Sequence, residues 1–512
     1  MKKSNLQRIF AAFMATAMVV GGTACSKSDD KKDDNKTTTT PTAEATPEAD
    51  KPADDNKTGD DETNTTPEAT PETTPEATPE VTPEVDDTPA VDLGGMNIII
   101  RDWWSPALDA DYPGEAKNDY EEARNNYRAE VQEKYNFTLR EAAISDWGGA
   151  NSDFVDYVTS GGDENNYIFT LHTDPTTANA MASGLMYDLS TLDCLDFSED
   201  KFQRNQLHKQ YCSGNSIYAF FPGFSEPRDG VYFNKQVLKD AGIDPNDIYE
   251  AQKNGTWTWD MFDEIMGKCQ RDLDADGVDD IYGLTLNEGV MTSAAVFSNG
   301  GSYIGKDADG KYFYNLESAE TLEALNWCVD MFTKYDQHDP EGANWDYYQE
   351  EWRTGKVAFL VDQEYCACPG NLFESTDFEM GFVMFPKGPK ATTYVSAWAN
   401  NAYVIPACYD PDRAWKIAFA WNVWTNPAPG YEDYNGYLET AANGNFDERA
   451  IEETIPMMAE AEHGIVTYHD FVAGIEMGPD LTWQIGANAD VTAIVEACRD
   501  KWKACIDEAN SK

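Results

Sequence analysis

From Ser26 to about Asp92 the chain contains almost no large apolar residue, and this stretch limits where a fold can form. It is built from Asp, Glu, Lys, Thr and Pro, with an imperfect repeat, Thr66-Pro67-Glu68-Ala69-Thr70-Pro71-Glu72, that recurs to Glu84. A segment of that composition buries too little apolar surface to offset the entropy of ordering it, so disorder is expected. Its prolines and unbalanced negative charge favour an extended chain. The repeat carries no aromatic or aliphatic anchor, which favours a spacer over a recognition tail. Any core must therefore come from residues 95–512, with 25–94 as a stalk.

Ahead of the stalk, Lys2, Lys3 and Arg8 accompany an apolar run from Ile9 to Val20. That run is too short for a mature membrane-spanning helix and suits the central region of an export signal over residues 1–24. It ends in Gly21-Gly22-Thr23-Ala24-Cys25. This resembles the lipobox of bacterial lipoproteins, which implies acylation of the Cys25 sulfur and a new N-terminus there. Gly22 departs from the pattern, which usually has an aliphatic residue at that position. The competing reading is a secretory signal cleaved near Ala24; the stalk that follows at once favours the anchor. Acylated Cys25 would tether the chain to the outer face of the cell membrane, because two acyl chains hold stably where one does not.

About 420 residues follow the stalk, more than one core usually serves, so two lobes are expected. The formal net charge of −54 argues against a nucleic-acid partner, which would need clustered Lys and Arg. No apolar run after Val20 is long enough to span a bilayer. Besides Cys25, the cysteines are 194, 212, 269, 328, 366, 368, 408, 498 and 505, scattered and odd in number. They read as small buried apolar residues, with an isolated disulfide left open.

Met96–Arg101 is a continuous apolar run suited to a strand buried on both faces. A helix is expected from about Tyr120 to Lys134, a second strand from Phe137, a third at Tyr167–Leu171 and a helix at Ala178–Ser183. Strand, helix and strand alternate, which predicts an α/β fold with mainly parallel sheets. In such sheets ligands sit beyond the carboxyl ends of the strands.

A series of blocks then follows: Gly184–Leu189, Tyr218–Pro222, Gly230–Lys235, Ala241–Ile243, Thr256–Phe262, Gly355–Phe359, Phe385–Pro389 and Asp410–Lys416. In order and spacing they resemble the extracellular solute-binding proteins of the maltose-binding type. Among them, Tyr232-Phe233-Asn234-Lys235 resembles the "Tyr-x-Asn-Lys" signature and Gly355-Lys356-Val357-Ala358-Phe359 the "Gly-Lys-x-Ala-Met" strand. The resemblance implies a two-lobed, type II periplasmic-binding-protein-like fold: lobe 1 over approximately 95–222 and 388–425, lobe 2 over approximately 223–387 and 426–512. It also implies a monomer that captures a solute for ABC permease subunits.

Asp272-Leu273-Asp274-Ala275-Asp276-Gly277-Val278-Asp279-Asp280 places oxygen donors at positions 1, 3, 5 and 9 of an EF-hand-like loop, with glycine at position 6. The Val278 carbonyl can serve position 7, while Gly283 stands where a bidentate Glu is expected. Ca2+ held by Asp272, Asp274, Asp276, Val278 and Asp280 is the expectation, in a structural role; a solvated acidic turn is the alternative.

Sugar recognition needs flat apolar faces for C–H stacking and polar groups for hydroxyls. Strand-end position selects Asp102, Trp103 and Trp104 after the first strand, Trp147 after the second, and His172 and Asp174 after the third. The resemblance adds Tyr365 after the "Gly-Lys-x-Ala-Met" block and Trp483 at the opening of a late helix, and Trp398 lies after the crossover near Asn400 and Asn401. Trp257, Trp259 and Trp415 read as packing residues. An oligosaccharide is the ligand expected. A glycoside hydrolase would need two carboxylates across a cleft, which abundant acids do not exclude; no nucleophile elbow, phosphate loop or zinc motif is present. An adhesin or sensor subunit, or the same fold with a non-sugar solute, are the other readings.

Overall fold

The computed structural model describes residues 91–511 apart from 117, 206, 227, 337–341 and 398–400. The signal, Cys25, nearly all of the stalk, Trp398 and Asn400 thus lie outside the described residues.

The apolar run opens β1 (Met96–Ala107), with Ile98, Ile99 and Ile100 buried. The strand runs past Arg101, so Asp102, Trp103 and Trp104 lie within it and not on a following loop. Pairing with the neighbouring strand breaks after Asp102 and resumes only at Ala107, which lifts Trp103 to Pro106 off the regular ladder. Next is α1 (Asp119–Tyr135), capped by the Asn118 side chain and closed by Asn136 in a left-handed conformation. Then follow β2 (Phe137–Ala143), α2 (Ala150–Thr159), β3 (Asn166–Leu171) and α3 (Pro175–Ala182). Both β2 and β3 pair with β1 in parallel, as the strand–helix alternation requires.

After the chain leaves this sheet, a second one is built from β4 (Asp229–Asn234), β5 (Tyr282–Leu286), β6 (Val357–Gln363) and β7 (Met380–Met384), in the order β7-β4-β6-β5. Here β5 and β6 are parallel, while β4 is antiparallel to β6 and β7. Its helices include α4 (Trp259–Cys269), begun by the Thr258 side chain on the Met261 N–H, and α5 (Glu288–Ser298), begun by Asn287. The helices α6 (Ala319–Tyr335) and α7 (Tyr348–Arg353) follow. The chain then returns to the first sheet as β8 (Ala402–Val404), antiparallel to β3, giving the order β8-β3-β1-β2. There α8 (Pro411–Trp424) begins on the Asp410 side chain and packs along α1. A last passage brings residues from Ala441 onward back to the second core, ending in α9 (Val491–Ser511).

Each sheet has its own core. Ile98, Ile100, Leu139 and Ile168 pack with Trp421 and Trp424 on one face of the first sheet, and Phe154, Phe169 and Met181 gather in a separate cluster. The second core holds Tyr232, Phe233, Phe359, Leu360, Val383 and Trp502. Trp257 and Trp259 are buried there, each indole N–H satisfied, by the Met384 carbonyl and the Ser298 hydroxyl. Trp415 stacks on Phe419 and donates to Asp193. The nine cysteines from Cys194 on are free thiols, five of them buried.

Candidate functional site

Four residues selected by strand-end position come together at the carboxyl edge of the first sheet. Trp103 meets Trp104 edge-on at 4.8 Å and His172 edge-on at 5.9 Å. Trp147, 58% exposed, lies flat on His172 with ring centroids 4.4 Å apart and planes at 15°. It sits in the turn that Asp146 closes by accepting from the Gly149 N–H. The imidazole is fixed on both sides: Nε2 lies 3.0 Å from the Trp147 carbonyl, and Asn151 Nδ2 lies 3.3 Å from Nδ1 while donating to the His172 carbonyl. Asp174 caps α3 through the Thr177 N–H and keeps Oδ2 4.0 Å from His172 Nδ1. The result is an aromatic shelf with polar edges.

Asp102 lies beneath that shelf, buried, and accepts from the N–H groups of Trp104 and Ser105 and from the Ser105 hydroxyl at 2.6 Å. Burial pushes its carboxyl up to about 6, against the pull of the Ser105 donors. Its oxygens are engaged in shaping the turn that holds both indoles, so the residue positions the shelf.

Residues that strand-end position did not select adjoin it. Tyr112 donates to Glu141 Oε2 at 2.9 Å, and the Arg128 guanidinium lies over the Trp424 ring at 3.3 Å and 3.9 Å from the same carboxylate. Tyr403, on β8, has its hydroxyl pushed far up by burial, with Glu141 and Asp102 adding. Tyr437 is shifted likewise by burial, and its charged neighbours are Glu226 and Arg228, with Tyr403 adding. Arg228 and Tyr437 lie on segments that connect the two sheets, while Tyr403 belongs to β8.

At the carboxyl edge of the second sheet, Tyr365 follows β6 and is 36% exposed. The Arg228 guanidinium lies 5.2 Å from its ring centre and 2.9 Å from Glu226. Behind it stand three buried carboxyls. Burial pushes Asp229 up to about 7, Asp362 to about 6 and Glu364 to about 8. Trp483, 70% exposed, lies in the short 3-10 turn Thr482–Gln484 and does not open the late helix. That helix starts eight residues further on, where Asp490 accepts from the Ala493 N–H. The turn that carries Trp483 packs against α5, and its indole lies on Gly478.

The acidic loop folds into a tight turn with Ala275 and Gly277 at positive φ, 63° and 91°. One carboxylate oxygen each of Asp272, Asp274 and Asp276 falls within 4.8 Å of the others. Backbone N–H groups of Ala275 and Gly277 donate to Asp272 and hold its carboxyl below the usual range. Asp280 accepts from the Leu273 N–H, closing the loop. Three clustered exposed carboxylates are a hard-oxygen donor set that fits Ca2+.

Residues 209–421 match the family model described as bacterial extracellular solute-binding protein. No sequence match is found among curated proteins. Solved structures with a similar fold include a sugar transporter from Rhizobium etli in an open conformation, at 14% identity over 80% of this chain and 100% of that one, TM-score 0.55. A cyclic alpha-maltosyl-1,6-maltose binding protein from Arthrobacter globiformis aligns at 15% identity over 81% and 100%, TM-score 0.53. UgpB from Mycobacterium tuberculosis, in complex with glycerophosphocholine, aligns at 16% identity over 81% and 99%, TM-score 0.50. The resemblance read from the ordered blocks is borne out by the family match, and the α/β two-lobed fold by these structures.

Proposed function

We propose that this chain, whose fold and residues 209–421 are those of bacterial extracellular solute-binding proteins, captures a carbohydrate outside the cell for an ABC importer. The observation that carries the carbohydrate reading is the shelf of Trp103, Trp104 and Trp147 around His172 at a strand carboxyl edge. Indole faces stack on the C–H face of a pyranose, and the surrounding polar groups take its hydroxyls. Tyr365 at the edge of the second sheet and the exposed Trp483 offer further faces. In this role the acids accept hydrogen bonds from the solute's hydroxyls without transferring protons.

Two accessory features belong to the same proposal. Cys25 carries the lipid that tethers the chain, and the stalk from Ser26 lets the binding part reach outward. Asp272, Asp274 and Asp276 hold Ca2+, which fastens the loop between α4 and β5. The direct test is thermal-shift screening of the chain against oligosaccharides, peptides and polyamines, because a ligand bound only by the folded state raises the melting temperature. A shift with glycans is expected. A shift with peptides and none with any glycan would overturn the carbohydrate reading.

A further inference from the structure

Of the free thiols, Cys194, Cys212, Cys408 and Cys505 are half-buried. Cys194 donates to the Trp415 carbonyl, and burial pushes its thiol up to about 12. Cys212 has a different neighbour, the Lys306 side chain, whose Nζ lies 3.8 Å from the sulfur. The two residues stand 94 positions apart and come from different parts of the fold. Cys212 lies in the hairpin of Cys212–Ser213 with Ser216–Ile217, next to Tyr211, which belongs with Phe169 of β3 to a cluster of the first sheet. Lys306 lies in the hairpin of Ile304–Lys306 with Tyr312–Tyr314, whose Ile304 belongs to the core of the second sheet. Their contact is part of a seam between the two. In the same seam Gln210 donates to the Thr467 carbonyl at 2.9 Å, and Tyr211 meets Phe471 edge-on at 4.8 Å.

Both groups are held in place. The Cys212 thiol donates to the Lys209 carbonyl at 3.0 Å. Lys306 Nζ donates to the Cys212 carbonyl at 2.6 Å and lies 5.4 Å from the Tyr312 ring centre. Burial lowers the pKa of this lysine from the ordinary 10.5, with Cys212 opposing, and so favours the neutral amine, which is the nucleophile. A cavity of about 220 Å³, lined by both side chains together with Tyr218, Tyr312, Phe471 and Cys505, admits a small oxidant to the sulfur.

A thiolate oxidised by peroxide becomes a sulfenic acid, which condenses with a nitrogen held beside it. We propose that Cys212 and Lys306 form a sulfenamide cross-link driven by hydrogen peroxide, a redox lock across the seam between the two sheets. In the first step the sulfur attacks one peroxide oxygen and the O–O bond breaks. Sulfur loses two electrons, and the products are Cys212 S–OH and water. In the second, the Lys306 nitrogen lone pair attacks that sulfur; the S–N bond forms, the S–O bond breaks, and the oxygen leaves as water with a proton from nitrogen. One peroxide is consumed and two waters are formed. Two equivalents of a thiol reverse the link, restoring the Cys212 thiol and the amine and leaving a disulfide of the reductant. The Tyr211 hydroxyl lies 3.0 Å from that of Thr173, which adjoins His172 of the shelf, so the locked seam reaches the candidate site. The proposal does not depend on which solute is bound.

The test is peptide mapping by mass spectrometry of the full chain, reduced and then treated with equimolar hydrogen peroxide. The Cys212 and Lys306 peptides are expected as one species, lighter than their sum by about 2 Da, the two hydrogens lost, and parted again by dithiothreitol. The oxidised chain should melt at a higher temperature than the reduced one. Cys505→Ser should leave the link intact, while Lys306→Arg should abolish it and leave a sulfenic acid that dimedone traps on Cys212. Cys212 recovered from the wild type unmodified, as a sulfinic acid, or in a disulfide with Cys505 would overturn the proposal. So would equal dimedone labelling of Cys212 in the wild type and Lys306→Arg.

Discussion

Replacing Asp229 by Asn should stabilise the protein at alkaline pH and do little at acid pH. Asp229 opens β4 with its side chain buried near Asp362. Burial is the main cause that pushes its carboxyl from the ordinary 3.8 to about 7; Arg228 opposes the rise and Asp362 adds to it. A carboxyl whose folded value lies above its unfolded value holds its proton more tightly in the fold. Its contribution is therefore complete below the unfolded value and is lost as pH rises through the folded one. The step from 3.8 to about 7 corresponds to roughly 4 kcal/mol as an upper limit, at ~1.4 kcal/mol per tenfold. Asn keeps the shape and an acceptor for Gln363 and stays neutral in both states, so the variant escapes that loss. Thermal melts of both proteins should coincide below about pH 3.8, separate as pH rises from 3.8 to about 7 with the variant the higher, and keep a constant separation above that. A difference that is constant with pH, or a variant less stable at about pH 8.5, would refute the assignment of a proton to Asp229.

Other outcomes follow from the same geometry. Millimolar Ca2+ should stabilise the fold, by about 2.7 kcal/mol at a hundredfold excess over Kd, and so raise the melting temperature; Asp274→Asn with Asp276→Asn should abolish the rise in a melt. Trp147→Ala removes the exposed face of the shelf and should weaken a bound glycan about tenfold by calorimetry, with the melting temperature nearly unchanged. A thiol reagent followed by mass spectrometry should spare Cys269, Cys328, Cys366, Cys368 and Cys498 in the folded chain and label them after unfolding, since all five are buried free thiols.

The parts legible in the sequence are those whose cause is local. The apolar run at Ile98–Ile100 had to be a buried strand, and Thr258 and Asp410 announce their helices as capping residues. Trp103, Trp147 and His172 could be grouped because strand ends share one edge of a parallel sheet. Trp483 was harder: its block suggested a helix start, yet the cap is Asp490, which precedes the apolar spacing of Val491, Val495, Cys498 and Trp502. Arg228 and Tyr437 carry no periodic signal, because they lie where the chain crosses between sheets, and they meet Tyr403 of β8 only through tertiary contacts. Asp362 and Glu364 were hidden for another reason. They end an apolar run, Val357–Val361, whose pattern speaks of burial and not of charge.

Hydrogen exchange of amides with and without a saturating glycan reads directly where the solute sits. Protection is expected at residues 102–105, 146–149 and 172–174 of the first sheet's edge, together with the segments around Tyr365 and Trp483. Protection confined to other surfaces, with these amides unchanged at saturation, would contradict the account.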